Sequence, residues 1–239
     1  MNKRNLLLLS SSKVANTPYL SHALPMIKQQ LKETTSVIFV PYAGVGFTYQ
    51  AYTEKVNQAL LPLNIQAKSL DQFSDKKSAI LNTDAIIVGG GNTFTLLDKL
   101  YHYDLIDTIK YAINENAVKY IGWSAGANIA GSSIKTTNDM PIVQPPSFKA
   151  LGLVNCQLNP HYSEYIPPGF NGETREQRLN EFMVVAPETL VIGLVEGSAL
   201  KVIGNKYQYL SSEGIEEPMY LFKGGVKQKV TNIPEAEII

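Results

Sequence analysis

Three four-residue runs of consecutive apolar side chains constrain this chain most: residues 6–9 (LLLL), 37–40 (VIFV) and 85–88 (AIIV). A strand with one face in water alternates apolar and polar residues. A strand without alternation is buried on both faces, which is the habit of parallel sheets covered by helices on each side. Helical patterns lie between the runs. Leu20, Ala23, Leu24, Ile27 and Leu31 fall at helical spacing over 19–31, and Tyr49, Tyr52, Val56, Ala59 and Leu60 share one side of 48–61. A weak strand at 65–68, helical stretches at 93–100 and 105–114 and a strand at 117–122 continue the alternation. Strand, helix, strand in this order predicts a parallel sheet with right-handed crossovers.

The second half has another texture. Prolines and polar residues crowd 136–147, which predicts a long loop. A strand is expected over 152–158, ending at Asn159-Pro160-His161. Residues 165–172 (YIPPGFNG) exclude a helix. Residues 173–185 predict a helix capped by Asn171 or Gly172. A strand at 190–194 ends at Glu196-Gly197. Short runs at 199–203, 207–210, 219–222 and 226–230 predict antiparallel strands joined by tight turns. The expectation is one α/β domain over 1–239, a mostly parallel sheet flanked by helices with a C-terminal antiparallel extension.

Composition removes several classes of function. Lys plus Arg and Asp plus Glu are each 21, so the basic excess of a nucleic-acid binder is missing. Cys156 is the single cysteine, which excludes an internal disulfide and a CxxC site. The three histidines, His22, His102 and His161, are too few for an ordinary zinc centre, so no metal is expected. The apolar run at 6–9 is shorter than the roughly 7–15 residues of a signal peptide, and no run approaches the roughly 20 of a membrane helix. A cytoplasmic protein without membrane contact is expected, in keeping with the lone thiol.

Gly122-Trp123-Ser124-Ala125-Gly126 is a G-x-S-x-G motif directly after the strand at 117–122, and the small residues behind it can start a helix. That is the setting of a nucleophile elbow, a sharp turn that lifts a serine hydroxyl out of the sheet. It sets the Ala125 N–H beside that hydroxyl, at a helix N-terminus, where an oxyanion can bind. His161 is the only histidine C-terminal to Ser124, and becomes the candidate general base. Two acids remain open for the third position. Asp139 is the only acid between Ser124 and His161, as a Ser, Asp, His order needs. Glu196 ends a strand, as a Ser, His, Glu order needs, and its strand-tip position favours it. Gly89-Gly90-Gly91-Asn92 follows the strand at 83–88. It lacks the spacing of dinucleotide and P-loop motifs, and can supply a second oxyanion donor from Gly90 or Gly91.

GGGN, GWSAGAN, NDMPI, NPHY and GETREQR, in this order and spacing, resemble the aspartyl dipeptidases of serine peptidase family S51, and the resemblance covers essentially the whole chain. It implies a fold similar to class I glutamine amidotransferases, a catalytic Ser124 and His161, and an acid at the place of Glu196 or of Asp139, since both positions are occupied. It further implies hydrolysis of Asp-Xaa dipeptides through an acyl-enzyme, with no cofactor and no partner beyond a small peptide substrate, in a monomer or dimer. Selectivity for an aspartyl side chain calls for a forked cation. Arg175 and Arg178 are the candidates, Arg175 at the position the resemblance favours, with Asn92 beside them as a substrate contact. A relative acting on aspartyl-arginine polymer and a catalytically silent binder are the alternatives. A glutamine amidotransferase is disfavoured, because the elbow carries serine where it would need cysteine.

Overall fold

The computed structural model describes residues 3–231. The strands Asn5–Leu9 (β1), Val37–Val40 (β2), Ala67–Ser69 (β3), Ala85–Val88 (β4) and Lys119–Trp123 (β5) form a parallel sheet in the order β3-β2-β4-β5-β1. Each apolar run divides its residues between two layers, because successive side chains point to opposite faces. Leu6, Leu8, Ile38, Val40, Ile86 and Val88 face one layer. The helices Lys76–Leu81 (α3), Thr93–His102 (α4) and Ile106–Asn114 (α5) contribute to that layer. Leu7, Leu9, Val37, Phe39, Ala85 and Ile87 face the other, against Leu24–Gln30 (α1) and Tyr49–Leu60 (α2). Burial on both faces is thus the reason the runs do not alternate.

The elbow serine leads into a single helical turn, Ala125–Asn128 (α6), and the loop over 136–147 follows. Then come Gln157–Asn159 (β6), the helix Arg175–Val185 (α7) and Val191–Gly193 (β7). The strands Ser198–Ile203 (β8), Lys206–Ser211 (β9), Met219–Lys223 (β10) and Val226–Val230 (β11) complete the described chain. The expected antiparallel extension is divided between two sheets. β8 pairs with β1 and carries β9 at the edge of the first sheet. β10 and β11 join β7 and β6 in a second sheet of order β11-β10-β7-β6, in which β6 and β7 are parallel. Leu179 and Met183 of α7 pack on Tyr220 and Phe222 of β10 in a third apolar cluster.

Two expectations need correction, and one helix has no counterpart among them. At six residues α3 is too short to show a period, and its start is marked by the Asp75 side chain accepting from Ser78 N–H at 2.9 Å. The strand expected over 152–158 is confined to β6. Its first residues instead fold back on the turn after α6, Gly152 N–H donating to Gly131 and Leu153 N–H to Ala130, each at 2.8 Å. α7 is capped by neither Asn171 nor Gly172 but by Thr174, in a reciprocal capping box with Gln177. Among the described residues no helix is long and apolar enough to cross a membrane.

Candidate active site

Ser124 stands at the carboxyl end of β5 with φ 53° and ψ −113°, a backbone conformation costly for any residue with a Cβ. Its flanking glycines allow the turn. A Cβ on Gly122 would lie 2.1 Å from the Gly126 carbonyl oxygen, and one on Gly126 would lie 2.2 Å from that of Val88. The Ser124 carbonyl accepts from the N–H groups of Ala127 and Asn128, which opens α6 at once. The hydroxyl is thereby directed away from the sheet toward the loops.

His161 follows β6 and Pro160, itself in the left-handed region at φ 56°. Its Nε2 lies 2.9 Å from Ser124 Oγ, and its Nδ1 lies 2.8 Å from Glu196 Oε1, just past β7. A carboxylate can only accept, so Nδ1 carries the proton and Nε2 is free to accept from the serine hydroxyl. The Glu196 side chain is 52% exposed and that of His161 37%, so the chain of bonds opens to solvent.

A buried serine that carries no sequence motif, Ser10, holds this arrangement together. Ser10 Oγ accepts from the His161 N–H at 2.9 Å and donates to the Leu194 carbonyl at 2.8 Å. One hydroxyl at the end of β1 therefore ties the segment before Glu196 to the segment bearing His161. Only the polar break after the apolar run hinted at it.

Asp139 lies elsewhere. Its Oδ2 accepts from Thr93 N–H at 2.7 Å, Thr93 Oγ1 at 2.5 Å and Thr137 Oγ1 at 3.1 Å. It fastens the 136–147 loop to the start of α4, and no hydrogen bond joins it to His161 among the described residues. It nevertheless lines a small pocket of about 30 Å³ with Ser124, Ala125 and His161. Asn92 also serves the fold. Its Oδ1 caps α4 by accepting from Thr95 N–H at 3.0 Å, and its Nδ2 donates to the Met140 carbonyl at 2.8 Å.

The glycine loop lies directly against the serine. A Cβ on Gly90 would come within 3.0 Å of Ser124 Cβ, and one on Gly91, at φ 137°, within 2.1 Å of the Ala43 carbonyl oxygen. Among the described residues, the N–H groups of Gly90, Gly91 and Ala125 donate to no protein acceptor. Unpaired backbone N–H groups are the kind of donor an oxyanion needs.

A cleft of about 420 Å³ opens beside His161, lined by Asn138, Ser163, Tyr165, Arg175 and Arg178. The two arginines differ in their partners. Arg178 Nε reaches Glu173 Oε2 at 3.5 Å. Arg175 has no ion pair among the described residues. Burial first, and the neighbouring Arg178 second, lower its proton affinity, while the charge of Asp139 opposes them. A half-buried guanidinium with no carboxylate in ion-pair contact has donors free to receive a carboxylate. A larger cavity of about 470 Å³ lies at the amino ends of β2 and β4, lined by Thr35, Gln66, Lys68 and Asn82, the opposite end of the strands from Ser124. It holds none of the chemistry-bearing residues. His102 packs edge-on against Tyr103 with ring centroids 4.7 Å apart, and His22 is half-buried near the start of α1.

The sequence profile of Peptidase family S51 matches residues 6–210. Peptidase E of Shewanella amazonensis is 51% identical over 222 residues, covering 93% of this chain and 92% of the relative. Peptidase E of Shewanella sp. (strain ANA-3) is 52% identical over 220 residues, covering 92% and 91%. A solved peptidase from an acI-B1 Actinobacterium superposes with a TM-score of 0.67 at 17% identity, over 96% of this chain and 94% of the other, a likeness of fold alone.

Proposed function

The chain belongs to peptidase family S51 and is a peptidase, and on that premise we propose that it is a serine-type dipeptidase cleaving Asp-Xaa to aspartate and a free amino acid. The observation that carries this reading is the unbroken chain Ser124 Oγ, His161 Nε2, His161 Nδ1, Glu196 Oε1, beside a cleft holding the unpaired Arg175.

In this reading Ser124 Oγ attacks the carbonyl carbon of the aspartyl residue while its proton passes to His161 Nε2. The imidazolium is stabilised by Glu196 at Nδ1. The tetrahedral oxyanion is held by the N–H of Ala125 and by one from Gly90 or Gly91. The C–N bond then breaks, and His161 returns the proton to the leaving amine. Water, deprotonated by the same imidazole, hydrolyses the acyl-enzyme and restores the serine. Arg175 receives the aspartyl carboxylate, and Asp139 acts through the loop it fastens. Cys156, buried and unpaired with its thiol pushed up to about 12, takes no part. We assign the protein to the cytoplasm, where a lone thiol stays reduced.

The test is a panel of Asp-Leu, Glu-Leu, Asn-Leu, Ala-Leu and β-Asp-Leu with purified protein and its Ser124→Ala variant. Turnover of Asp-Leu alone, absent in the variant, is the expected result. Preference for β-Asp-Leu or for aspartyl-arginine polymer would redirect the substrate assignment, and activity surviving in the variant would remove the nucleophile.

A further inference from the structure

We propose that Tyr52 is a positioning residue for the reaction, fixing the Gly90–Gly91 peptide so that its N–H is held ready for the oxyanion. The inference rests on reading this loop as the second oxyanion donor, and carries it to a side chain on a different helix.

Tyr52 lies in α2 and its side chain is buried. Its hydroxyl donates to the Gly90 carbonyl at 2.8 Å, and accepts from the Tyr19 hydroxyl at 3.2 Å. Burial raises the pKa of both phenols, so both stay protonated as donors through the neutral range. The peptide bond between Gly90 and Gly91 is trans. In a trans peptide the C=O and the N–H point in opposite directions. Holding the Gly90 oxygen toward Tyr52 therefore turns the Gly91 N–H away from the tyrosine layer.

The neighbouring peptides are tied by Gly89 N–H to the Val40 carbonyl at 3.1 Å and Asn92 N–H to the Ala43 carbonyl at 2.8 Å, but among the described residues the Tyr52 bond is the one hydrogen bond made by the Gly90–Gly91 peptide itself. With three consecutive glycines the loop has no side chains to pack, and its backbone dihedrals are free of Cβ restraint. The hydroxyl also sits hard against it: a Cβ on Gly89 would be 2.6 Å from the Tyr52 oxygen. The ring packs edge-on with both Phe39 and Phe47, with centroids 4.9 Å away in each case. The phenol thus adds, at the Gly90–Gly91 peptide, a restraint that glycine side chains cannot supply. Preorganised donors stabilise a transition state because they need not reorient as charge develops.

The test is Tyr52→Phe, which keeps the ring contacts and deletes the hydroxyl. Two readouts are taken on the variant and the parent protein: Asp-Leu kinetics, and the rate of Ser124 phosphonylation by a fluorophosphonate. In the second, the serine oxygen bonds to phosphorus, fluoride leaves and the hydroxyl proton passes to His161, whatever the natural substrate. Loss of a whole oxyanion donor costs about 10²–10³ in kcat, so a mis-set one is expected to cost about 10–100-fold. That fall should appear in kcat and in the phosphonylation rate alike, with KM within about threefold. Both rates within about twofold of the parent would overturn the proposal, as would a variant that does not fold, since the hydroxyl would then be a structural requirement. If the parent is phosphonylated at Ser124 but does not turn over Asp-Leu, the substrate reading fails and the phosphonylation rates alone decide the role of Tyr52. If the parent shows neither activity, the nucleophile assignment fails and takes this proposal with it.

Discussion

His161 Nδ1 lies 2.8 Å from Glu196 Oε1, and the two residues leave the ends of neighbouring parallel strands, β6 and β7. Asn159 is in register with Gly193 across that pair, so the two chain exits emerge side by side. Ser124 comes from the other sheet, at the end of β5. The hydrogen-bonded chain therefore spans a junction between two sheets, and Ser10 is the buried hydroxyl that bridges it.

The contacts of the two acids predict different consequences for their loss. Glu196→Gln removes the charge beside the imidazole and should lower kcat on Asp-Leu by about 10²–10⁴. Asp139→Asn weakens the bonds to Thr93 and should act first on stability, by about 1–3 kcal/mol, with a smaller loss of kcat. Steady-state kinetics and thermal melts of both variants check this, and a reversed order in kcat would move the acid to Asp139.

Ser124→Ala should lower kcat by about 10⁶ if the three residues act as a unit, because the remaining two have nothing to activate. The strained backbone at φ 53° persists in the variant, so its melting temperature should stay close to that of the parent. Turnover near the parent rate would remove Ser124 from the mechanism.

Arg175 and Arg178 should separate cleanly. Arg175→Ala removes the cation that has no ion pair among the described residues and should lower the kcat/KM preference for Asp-Leu over Asn-Leu by about 10–100-fold, the range of one charged hydrogen bond. Arg178→Ala breaks only an exposed pair with Glu173 and should leave that ratio within about threefold. Measuring both ratios side by side decides which cation reads the substrate.

The charge network behind α7 predicts an acid-sensitive contribution to stability. Glu164 accepts from Lys227 at 2.6 Å, Lys229 at 2.7 Å and the Tyr220 hydroxyl at 2.9 Å. The Lys227 and Lys229 bonds, chiefly, draw its pKa from 4.5 down to about 2. A folded pKa below the unfolded one stabilises the folded state above the unfolded value and ceases to do so as pH falls through the folded one. The parent should therefore melt about 2–4 °C above Glu164→Gln at pH 7, with the gap closing between about pH 4.5 and pH 2. A gap independent of pH would show that the carboxylate charge contributes nothing.

Much of this molecule is legible in its order of residues. Unalternating runs announce strands buried on both faces, and residues 6–9, 37–40 and 85–88 do form three interior strands of the seven-stranded sheet. The elbow is equally local, since Gly122, Ser124 and Gly126 are close neighbours and their steric requirements belong to one turn. What stayed hidden depends on partners far apart in the chain. Asp139 and Glu196 both look like acids near a loop or strand end, and only the pairing of β6 with β7 brings one of them to His161.

The same holds for Ser10, which is 151 positions from His161, and for Tyr52, which is 38 from Gly90. Their hydroxyls read as an ordinary polar break and an ordinary helix residue. The layers, the elbow turn and the one histidine downstream of it can be read in the sequence, because hydrophobic period, glycine sterics and the supply of histidines are local or countable properties. Only the tertiary structure brings Glu196 and not Asp139 to His161, leaves Arg175 without an ion pair among the described residues, and joins the buried hydroxyls of Ser10 and Tyr52 to distant backbone groups. Hydrogen bonds act over about 3 Å of space and are indifferent to separation along the chain.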